Sequence, residues 1–206
     1  MSPPGWPASL RRGRVGVRPL AGRDAPTWRE VRARNRAWLG PWDATLPPGS
    51  DRAPQSFRAM TRALDRQARA GRTLPFATTW DDGLVGQVTV SSITWGSARS
   101  ASIGYWVDAA YAGRGITPTA VALVIDHCFG TVGLHRIEIA VRPENASSLR
   151  VVDKLGLRRE GEAPRYLHID GDWRDHLLFA VTCEEVPGGP GGMVARLEAS
   201  SHPSQK

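Results

Sequence analysis

The segment Tyr111–Pro118 (YAGRGITP) joins a predicted strand to a predicted helix and has the composition of an anion-binding turn. Gly113 and Gly115, two residues apart, let the backbone bend so that successive N–H groups face one concavity. The helix dipole adds partial positive charge there, and Arg114 adds a full charge. The spacing therefore predicts a site for an anion such as a pyrophosphate, although a purely structural turn has the same pattern. The segment lacks the third glycine of a dinucleotide-binding fingerprint and the Gly-Lys-Ser/Thr of a P-loop.

The elements around this turn follow from hydrophobic periodicity and from turn residues. The predicted strands are Val15–Leu20, Pro75–Trp80, Leu84–Thr94, Ser100–Val107, Arg136–Val141, Arg158–Ile169 and Trp173–Cys183. The predicted helices start at the cap Asp24, at about Pro54, at Pro118 behind the cap Thr117, and at about Ala146. This order of strands and helices is an α+β layout with the sheet at the centre.

Longer stretches on both sides of the turn resemble one enzyme superfamily. GYWVD (104–108), AYAGRGITPTAV (110–121) and HRIEIAVRPENASSLRVVDKLGLRREG (135–161) are similar to the GCN5-related N-acetyltransferase (GNAT) superfamily. Within it, the chain resembles the RimJ/RimL group, which acetylates the N-termini of ribosomal proteins, typically at alanine or serine. The resemblance implies a GNAT fold: a central, mixed and mostly antiparallel sheet of about seven strands, flanked by about four helices.

The resemblance also implies a cosubstrate, acetyl-CoA, and no metal. The backbone amides of the turn would bind the pyrophosphate of acetyl-CoA; the residues are Ala112, Gly113, Arg114, Gly115, Ile116 and Thr117. A second set, Tyr105, Trp106 and Val107, would pair with pantetheine. The strand that carries this second set would diverge from Arg136–Val141 and so open a V-shaped slot.

Two residues at the start of the next helix complete the implied cosubstrate site. Asn145 would contact pantetheine, and Ser148 would approach the sulfur of CoA. Many relatives place a tyrosine seven residues after this asparagine as the acid for the thiolate, but Val152 stands there in this chain. Ser148 is therefore the predicted substitute. The alternative is that Ser148 is a first-turn helix residue that bonds backbone amides.

Glu138 is the predicted general base, acting through water. A protonated amine cannot attack a thioester, so a proton must leave before or during the attack. Glu138 lies mid-strand on the side opposite the aliphatic residues. The equally weighted alternative is an ion pair with Arg136 on the face of the sheet.

Three further residues have open roles. Tyr166 is predicted to line the acceptor slot, or else to pack as a half-buried tyrosine. Asp175 either orients the substrate amine or pairs with Arg174 or His176, and the pairing is favoured. His135 is expected to be structural.

The acceptor wall is predicted from the first helices and the late hairpin. Trp38, Trp42 and the loop WDATLPP (42–48) are candidates to face a peptide, because aromatic rings bury area at low entropic cost. Core packing of the two rings is the alternative. Nearby, Arg32, Arg34 and Arg36 either bind an acidic or ribosomal-RNA surface or are simply solvated.

Composition limits the class of protein. The chain has 206 residues, is 41% hydrophobic and 23% charged, and is expected to fold as one domain over residues 15–186. Residues 1–14 and 187–206 are rich in proline, glycine and serine and are expected to be flexible tails outside the core. Two cysteines, Cys128 and Cys183, exclude a disulfide-rich scaffold, and the five histidines show no metal-ligand spacing. No stretch is long and apolar enough to span a membrane, so a cytoplasmic protein is expected.

Charge is distributed unevenly along the chain. The formal net charge is +7, and residues 1–72 alone carry +10. A basic first third suggests an acidic partner such as ribosomal RNA, or solvated arginines. It disfavours a cationic small amine, such as an aminoglycoside or a polyamine, as the acceptor. The favoured function is thus acetylation of the N-terminus of a ribosomal protein; the alternatives are a small-amine acetyltransferase and a non-catalytic acyl-CoA-binding module. The oligomeric state stays open.

Overall fold

The computed structural model describes residues 5–50, 56–186 and 192–201. Its strands are β1 Leu10–Arg12, β2 Val15–Pro19, β3 Leu74–Trp80, β4 Gly83–Thr94, β5 Ser100–Val107, β6 Arg136–Val141, β7 Arg158–Ile169 and β8 Asp172–Thr182. They form one sheet in the spatial order β1-β2-β3-β4-β5-β6-β8-β7. Neighbouring strands are antiparallel except β5 and β6, which are parallel. The predicted mixed, mostly antiparallel sheet is confirmed, with eight strands rather than about seven.

Six α-helices accompany the sheet in the described residues, where about four were predicted. They are α1 Ala25–Arg34, α2 Arg36–Leu39, α3 Phe57–Arg69, α4 Ile116–His127, α5 Ala146–Lys154 and α6 Gly192–Ser201. The predicted start of the second long helix, Pro54, lies outside the described residues. None of the described helices combines the length and the apolar character that crossing a membrane requires.

Helices cover both faces of the sheet. On β3, Phe76 belongs to the hydrophobic cluster that includes α4, α5 and α6, whereas Ala77 belongs to a second cluster with α1 and α3. Since successive residues of a strand point to opposite faces, the two clusters lie on the two sides of the sheet. Both Phe76 and Ala77 are fully buried, as a strand covered on both faces requires.

β5 and β6 separate soon after they begin. Their parallel pairing joins Ser100 to Arg136, Ala101 to Ile137 and Ser102 to Glu138. No pairing between these strands follows among the described residues, although β5 continues to Val107 and β6 to Val141. The predicted V-shaped slot therefore opens just beyond Glu138.

The N-terminal segment is part of the core, contrary to the predicted flexible tail. Trp6 is only 6% exposed, and its ring lies 5.3 Å from that of Phe76 in an edge-to-face contact. Residues Leu10–Arg12 add strand β1 to the edge of the sheet. The proline- and glycine-rich composition of this segment gave no sign that Trp6 is buried or that Leu10–Arg12 forms a very short strand.

Part of the C-terminal tail is ordered as well. Helix α6 packs against α4, and Met193 is fully buried. The Asp126 carboxylate of α4 accepts hydrogen bonds from the backbone N–H groups of Met193 (2.9 Å) and Val194 (3.1 Å). An acceptor from another helix thus satisfies amides in the first turn of α6. Residues 1–4, 187–191 and 202–206 of the predicted tails lie outside the described residues.

Two predicted helix caps are wrong in detail. Helix α4 starts two residues early: its N-cap is Gly115, with φ 75°, and Thr117 lies inside the first turn. Asp24 does occupy the N-cap of α1, but its side chain makes no cap bond there. The Asp24 carboxylate instead accepts from Arg18 (2.8 and 2.9 Å) and from the backbone of Ala21 (2.8 Å).

Candidate active site

A cavity of about 530 Å³ lies where β5 and β6 separate. On one side of the sheet it reaches the start of α4 and the first turn of α5; on the other it reaches β4, β8 and the loop after α2. Among the predicted site residues, those that line it are Trp38, Trp42, Tyr105, Trp106, Val107, Ala112, Gly113, Gly115, Ile116, Thr117, Asn145 and Ser148. Arg114, Glu138 and Tyr166 do not line it.

The turn before α4 offers a row of free amides to the cavity. The backbone N–H groups of residues 113–117 have no hydrogen-bond acceptor among the described residues. Gly113 and Gly115 have φ values of 77° and 75°, the left-handed region that glycine adopts without strain. A Cβ added at either glycine meets nothing within 4 Å, so the concavity is open. Together with the helix dipole, this row forms an anion-binding site.

The guanidinium of Arg114 does not extend into this concavity. It lies 5.3 Å from the ring centre of Tyr111, in a cation–π contact. The positive charge expected from Arg114 is therefore directed at an aromatic ring. The cationic side chains that do line the cavity are Arg142, Arg150 and Lys154, which the sequence analysis did not select.

Asn145 caps α5 and leaves Ser148 available. The Asn145 Oδ1 accepts from the backbone N–H of Ser148 (3.0 Å) and from the hydroxyl of Ser147 (2.8 Å). Ser148 lies in the first turn of α5 and lines the cavity, and its side chain has a hydrogen bond with the phenol of Tyr105. Among the described residues the hydroxyl bonds no backbone amide, contrary to the alternative role.

Tyr105 connects the two walls of the slot. It is held between β5 and α5, and its hydroxyl donates to the backbone oxygen of Ser148 at 3.4 Å. Burial raises the pKa of Tyr105 well above its ordinary value, so the phenol stays protonated. On the other face of β5, Gly104 has no side chain, and the cavity passes over it toward Thr89.

Trp38 and Trp42 form a wall rather than core packing. Trp38 is 40% exposed, and its indole N–H donates to the Val107 oxygen at 3.1 Å. The Arg142 guanidinium lies 5.3 Å from the ring centre of Trp42 and donates to the Pro41 oxygen at 2.8 Å. Both rings are thus fixed at the rim of the cavity by contacts with β5 and with the end of β6.

The loop after Trp42 is joined to the β7–β8 hairpin. Ala44 forms a β-bridge with Ile169, and the backbone N–H of Thr45 donates to the His168 oxygen at 2.9 Å. The Thr45 hydroxyl contacts His168 Nδ1 at 2.8 Å and accepts from the backbone N–H of Gly171 at 3.0 Å. Two segments far apart in sequence are therefore held together beside the cavity.

Glu138 lies in an ion-pair cluster. Arg136 Nε donates to Glu138 Oε1 at 2.7 Å, and the same guanidinium binds Glu160. The two arginines Arg136 and Arg158 hold the pKa of Glu160 at about 2. The contact of Glu138 is thus the sheet-face ion pair that was the alternative to a general base.

Tyr166 and Asp175 have structural contacts. The Tyr166 ring is 44% exposed and stacks edge-to-face on His176 at 5.8 Å, outside the main cavity. Asp175 pairs with neither Arg174 nor His176; its Oδ1 accepts from the backbone N–H of Arg165 at 2.7 Å. This bond supports a bulge in β7, where Arg165 has a φ of 49°.

Two arginines of the predicted basic surface have internal partners. Arg32 pairs with Asp43 and lies 5.6 and 5.4 Å from the ring centres of Trp28 and Trp106. Arg34 pairs with Asp108, which is 1% exposed. Each of the two arginines thus pairs with a carboxylate of the protein itself, although the side chain of Arg34 is still 45% exposed.

Asp108 anchors the helical segment that carries Trp38. Its Oδ1 accepts from Asn35 Nδ2 at 2.8 Å, and Asn35 Oδ1 accepts in turn from the backbone N–H of Ala109 at 2.9 Å. Asn35 also separates α1 from α2. Burial raises the pKa of Asp108, but hydrogen bonds from Arg34, Asn35 and the backbone of Ala110 hold it below its ordinary value.

The sequence analysis missed His176, which lines the cavity and is 3% exposed. His176 Nδ1 lies 2.9 Å from the backbone oxygen of Arg174. Burial lowers the pKa of His176 below its ordinary value near 6.5. Its position next to Asp175 could have indicated His176. Neighbouring residues of a strand point to opposite faces of the sheet, so only one of Asp175 and His176 can face the cavity.

One group of potential metal ligands was not predicted from the sequence. His135, Cys183 and Glu184 place one donor atom each within 4.8 Å of one another, and His135 Nε2 lies 3.1 Å from Glu184. The residues stand at the start of β6 and just after β8, away from the residues that line the cavity.

Comparisons with known proteins agree with this arrangement. The acetyltransferase (GNAT) domain family matches residues 14–158. The structure of Mycobacterium smegmatis RimJ in complex with CoA-disulfide is 43% identical, covers 96% of this chain and 97% of that chain, and has a TM-score of 0.88. The ribosomal protein uS5-alanine N-acetyltransferase of Escherichia coli (strain K12) is 30% identical over 182 residues, which are 87% of this chain and 93% of that protein. The probable N-acetyltransferase YjcK of Bacillus subtilis (strain 168) is 44% identical over 101 residues, 49% of this chain and 56% of YjcK.

Proposed function

We propose a cosubstrate and an acceptor for this chain, which belongs to the GNAT acetyltransferase family and is an N-acetyltransferase. The cosubstrate is acetyl-CoA. The acceptor is the N-terminal α-amine of a protein, and a ribosomal protein is the acceptor class named for the Escherichia coli relative.

The observation that carries the proposal is the row of free amides beside an open slot. Five consecutive N–H groups, those of residues 113–117, lack an acceptor among the described residues and stand at the start of α4. A buried or ligand-facing amide without an acceptor is costly, and a pyrophosphate supplies several acceptors at once. The pantetheine arm would then lie along β5 in the slot beyond Ser102.

The first turn of α5 would act at the thioester. Ser148, whose side chain lines the cavity beside Tyr105, is our candidate to stabilise the departing thiolate by donating a hydrogen bond. Asn145 would act chiefly by capping α5, which fixes the position of Ser148. Holding both reactants in one cavity would itself supply much of the acceleration, since effective molarities reach about 10⁵ M or more.

The charge of the cavity favours a peptide over a polycation. Its cationic side chains are Arg142, Arg150 and Lys154, and its one carboxylate among the described lining residues, that of Asp43, is paired with Arg32. A polyamine or an aminoglycoside would meet like charge there. A peptide N-terminus brings a single charge and an extended backbone to the wall of Trp38 and Trp42.

The test is acetyl-CoA turnover, followed by thiol release, with short peptides that begin with Ala, Ser or Met. A polyamine and an aminoglycoside serve as competing acceptors, and peptides with a blocked α-amine serve as the control. Turnover is expected with the free peptides and not with the blocked ones. Turnover with the small amines alone would overturn the proposed acceptor.

A further inference from the structure

We propose that His176 is the general base of this acetyltransferase, taking a proton from the acceptor amine at Nε2. The inference rests on the proposed function, because it assigns a residue to amine acetylation. It replaces Glu138, whose carboxylate is engaged by Arg136 outside the cavity.

The register of β8 places His176 on the acceptor side of the sheet. Ala180 pairs with Glu138, and Leu178 pairs with Ala140. Side chains two residues apart on a strand share a face, so His176 lies on the face of Glu138 and Ala140. It is displaced along β8 toward the open end of the slot, where it lines the cavity. Glu138, by contrast, stands at the last paired position of β5 and β6, where the strands are still joined.

The hydrogen bond to the backbone selects the tautomer of His176 in which Nε2 can accept a proton. A carbonyl oxygen can only accept, so His176 Nδ1, at 2.9 Å from the Arg174 oxygen, carries the proton. In the neutral ring Nε2 then carries the lone pair. Nε2 has no hydrogen-bond partner among the described residues. Ring orientation is further fixed by the edge-to-face contact with Tyr166.

Three charged groups act on the ring in addition to burial. Arg142 disfavours the protonated ring, whereas Asp175 on its own strand and Glu144 after β6 favour it. Arg174 contacts the ring through its backbone oxygen, Asp43 lines the same cavity, and Tyr166 faces the ring from β7. Burial is the largest influence and keeps the pKa of His176 below its ordinary value, so the ring is neutral and able to accept a proton at pH 7.

Other titratable groups of the cavity are less suited to the task. The Asp43 carboxylate is held by Arg32. The phenol of Tyr105 is buried and stays protonated. His176 therefore combines a free lone pair, a fixed orientation and a place on the cavity wall.

The proposed step balances in atoms and electrons. The acceptor ammonium gives one proton to His176 Nε2, which later passes it to solvent. The amine lone pair then forms the C–N bond with the acetyl carbon, and the C–S electron pair leaves with the sulfur of CoA. A second nitrogen proton moves to this thiolate, assisted by the hydroxyl of Ser148, and the third stays in the amide.

The test compares His176→Gln with His127→Gln in the full chain. His127 is a matched control: it is also buried, its ring bonds one backbone oxygen (Gly5, 2.8 Å), burial lowers its pKa too, and it does not line the cavity. At saturating acetyl-CoA and peptide, kcat of His176→Gln is expected to fall about 10²-fold or more. The KM for acetyl-CoA should change little in either variant, and kcat of His127→Gln should stay near that of the parent.

The pH dependence of kcat separates a base from a structural residue. The parent and His127→Gln should lose kcat in acid with a slope of one, and His176→Gln should lack this limb. Saturating peptide is required, because the free α-amine titrates near pH 7.7–8.0 and would enter kcat/KM. A His176→Gln variant with near-parental kcat, or with the same acid limb, would overturn the assignment.

An NMR readout keeps the two proposals distinguishable. If the parent acetylates no amine, the proposed function fails and the base assignment fails with it. If the parent is active, the nitrogen chemical shifts of His176 test the tautomer and the pKa that the base assignment requires. A neutral ring protonated at Nδ1, with a pKa below about 6.5, is expected. The Nε2-protonated form or a higher pKa would contradict it.

Discussion

The hydroxyls of Ser147 and Ser148 have different partners. The hydroxyl of Ser147 donates to Asn145 Oδ1 at 2.8 Å, whereas the side chain of Ser148 lines the cavity and has a hydrogen bond with the phenol of Tyr105. We therefore expect Ser148→Ala to lower kcat by about 10²-fold with little change in the affinity for acetyl-CoA. Steady-state kinetics and calorimetric titration with CoA measure the two quantities. Ser147→Ala is the control, and equal losses in both variants would mean that the helix start, not the hydroxyl, matters.

Gly113 can be tested against a glycine of the same conformation elsewhere. Gly113 and Gly133 have φ values of 77° and 80°, and a Cβ on either meets nothing within 4 Å. Alanine at each should cost roughly 1–2 kcal/mol of stability through backbone strain. Only Gly113→Ala should weaken CoA binding, by about tenfold or more, because its methyl group enters the amide concavity. Equal Kd values for the two folded variants would contradict the assignment of the turn.

The residue scale also shows where sequence reasoning stops. The residue types of the turn predicted its anion-binding amides, and the resemblance to GNAT enzymes implied the roles of Asn145 and Ser148, which line the same cavity. Which of Glu138 and His176 reaches the slot was not predictable from the sequence. The two residues share a face of the sheet, and only the strand register shows which of them lies beyond the point where β5 and β6 separate. The prediction that Arg114 adds its charge to the anion site was wrong for a similar reason. Its contact with the Tyr111 ring depends on how the turn folds.

At the scale of elements, the segment α1–α2 depends on Asp108. This carboxylate accepts from Asn35, from Arg34 and from the backbone of Ala110 in an almost fully buried position. Asp108→Ala leaves those donors unpaired and should lower the free energy of unfolding by about 2–3 kcal/mol. Urea denaturation measures the change.

Glu30 supplies the control for that prediction. It pairs with the same Arg34, but its side chain is 71% exposed. Glu30→Gln should therefore change the free energy of unfolding by less than about 0.5 kcal/mol. Similar losses in both variants would show that burial of Asp108 contributes nothing to its role.

Strands were predicted better than helix ends. β5 and β6 have the predicted bounds, because alternation of buried and exposed residues over six or more positions is a strong signal. β1 has only three residues and therefore no readable period. Thr117 is a cap by residue type, but the left-handed turn at Gly115 decides where α4 begins.

At the scale of the whole molecule, buried histidines link stability to pH. Burial lowers the pKa of His127 in the folded state below its value near 6.5 in the unfolded chain. The unfolded state therefore binds more protons as the pH falls below about 6.5, and stability falls with it. Urea denaturation at pH 7.5 and pH 5.5 should show this loss, and His127→Gln should reduce it. An unchanged difference between the two pH values in the variant would exclude His127 as a source.

His127 also contacts the N-terminal segment of the chain. Its Nε2 lies 2.8 Å from the Gly5 oxygen, next to Trp6, whose ring packs on Phe76. The core thus includes residues that the composition suggested would be flexible. Trp6→Ala should lower the free energy of unfolding by about 3–5 kcal/mol, measured by urea denaturation. A loss below about 1 kcal/mol would mean that the segment is only loosely attached.

The joining of residues 43–45 to the β7–β8 hairpin has a topological consequence. From β5 the chain of contacts runs through Trp38 to Ala44, crosses to Ile169, and returns along β8 and β6 to the paired base of the slot. We expect this circuit of contacts to border the acceptor entrance on all sides. A free chain end could then pass through the closed opening, whereas the middle of a polypeptide would have to enter folded double. Selection for termini over internal lysines would then follow from the connectivity of the fold, before any side chain has recognised its substrate.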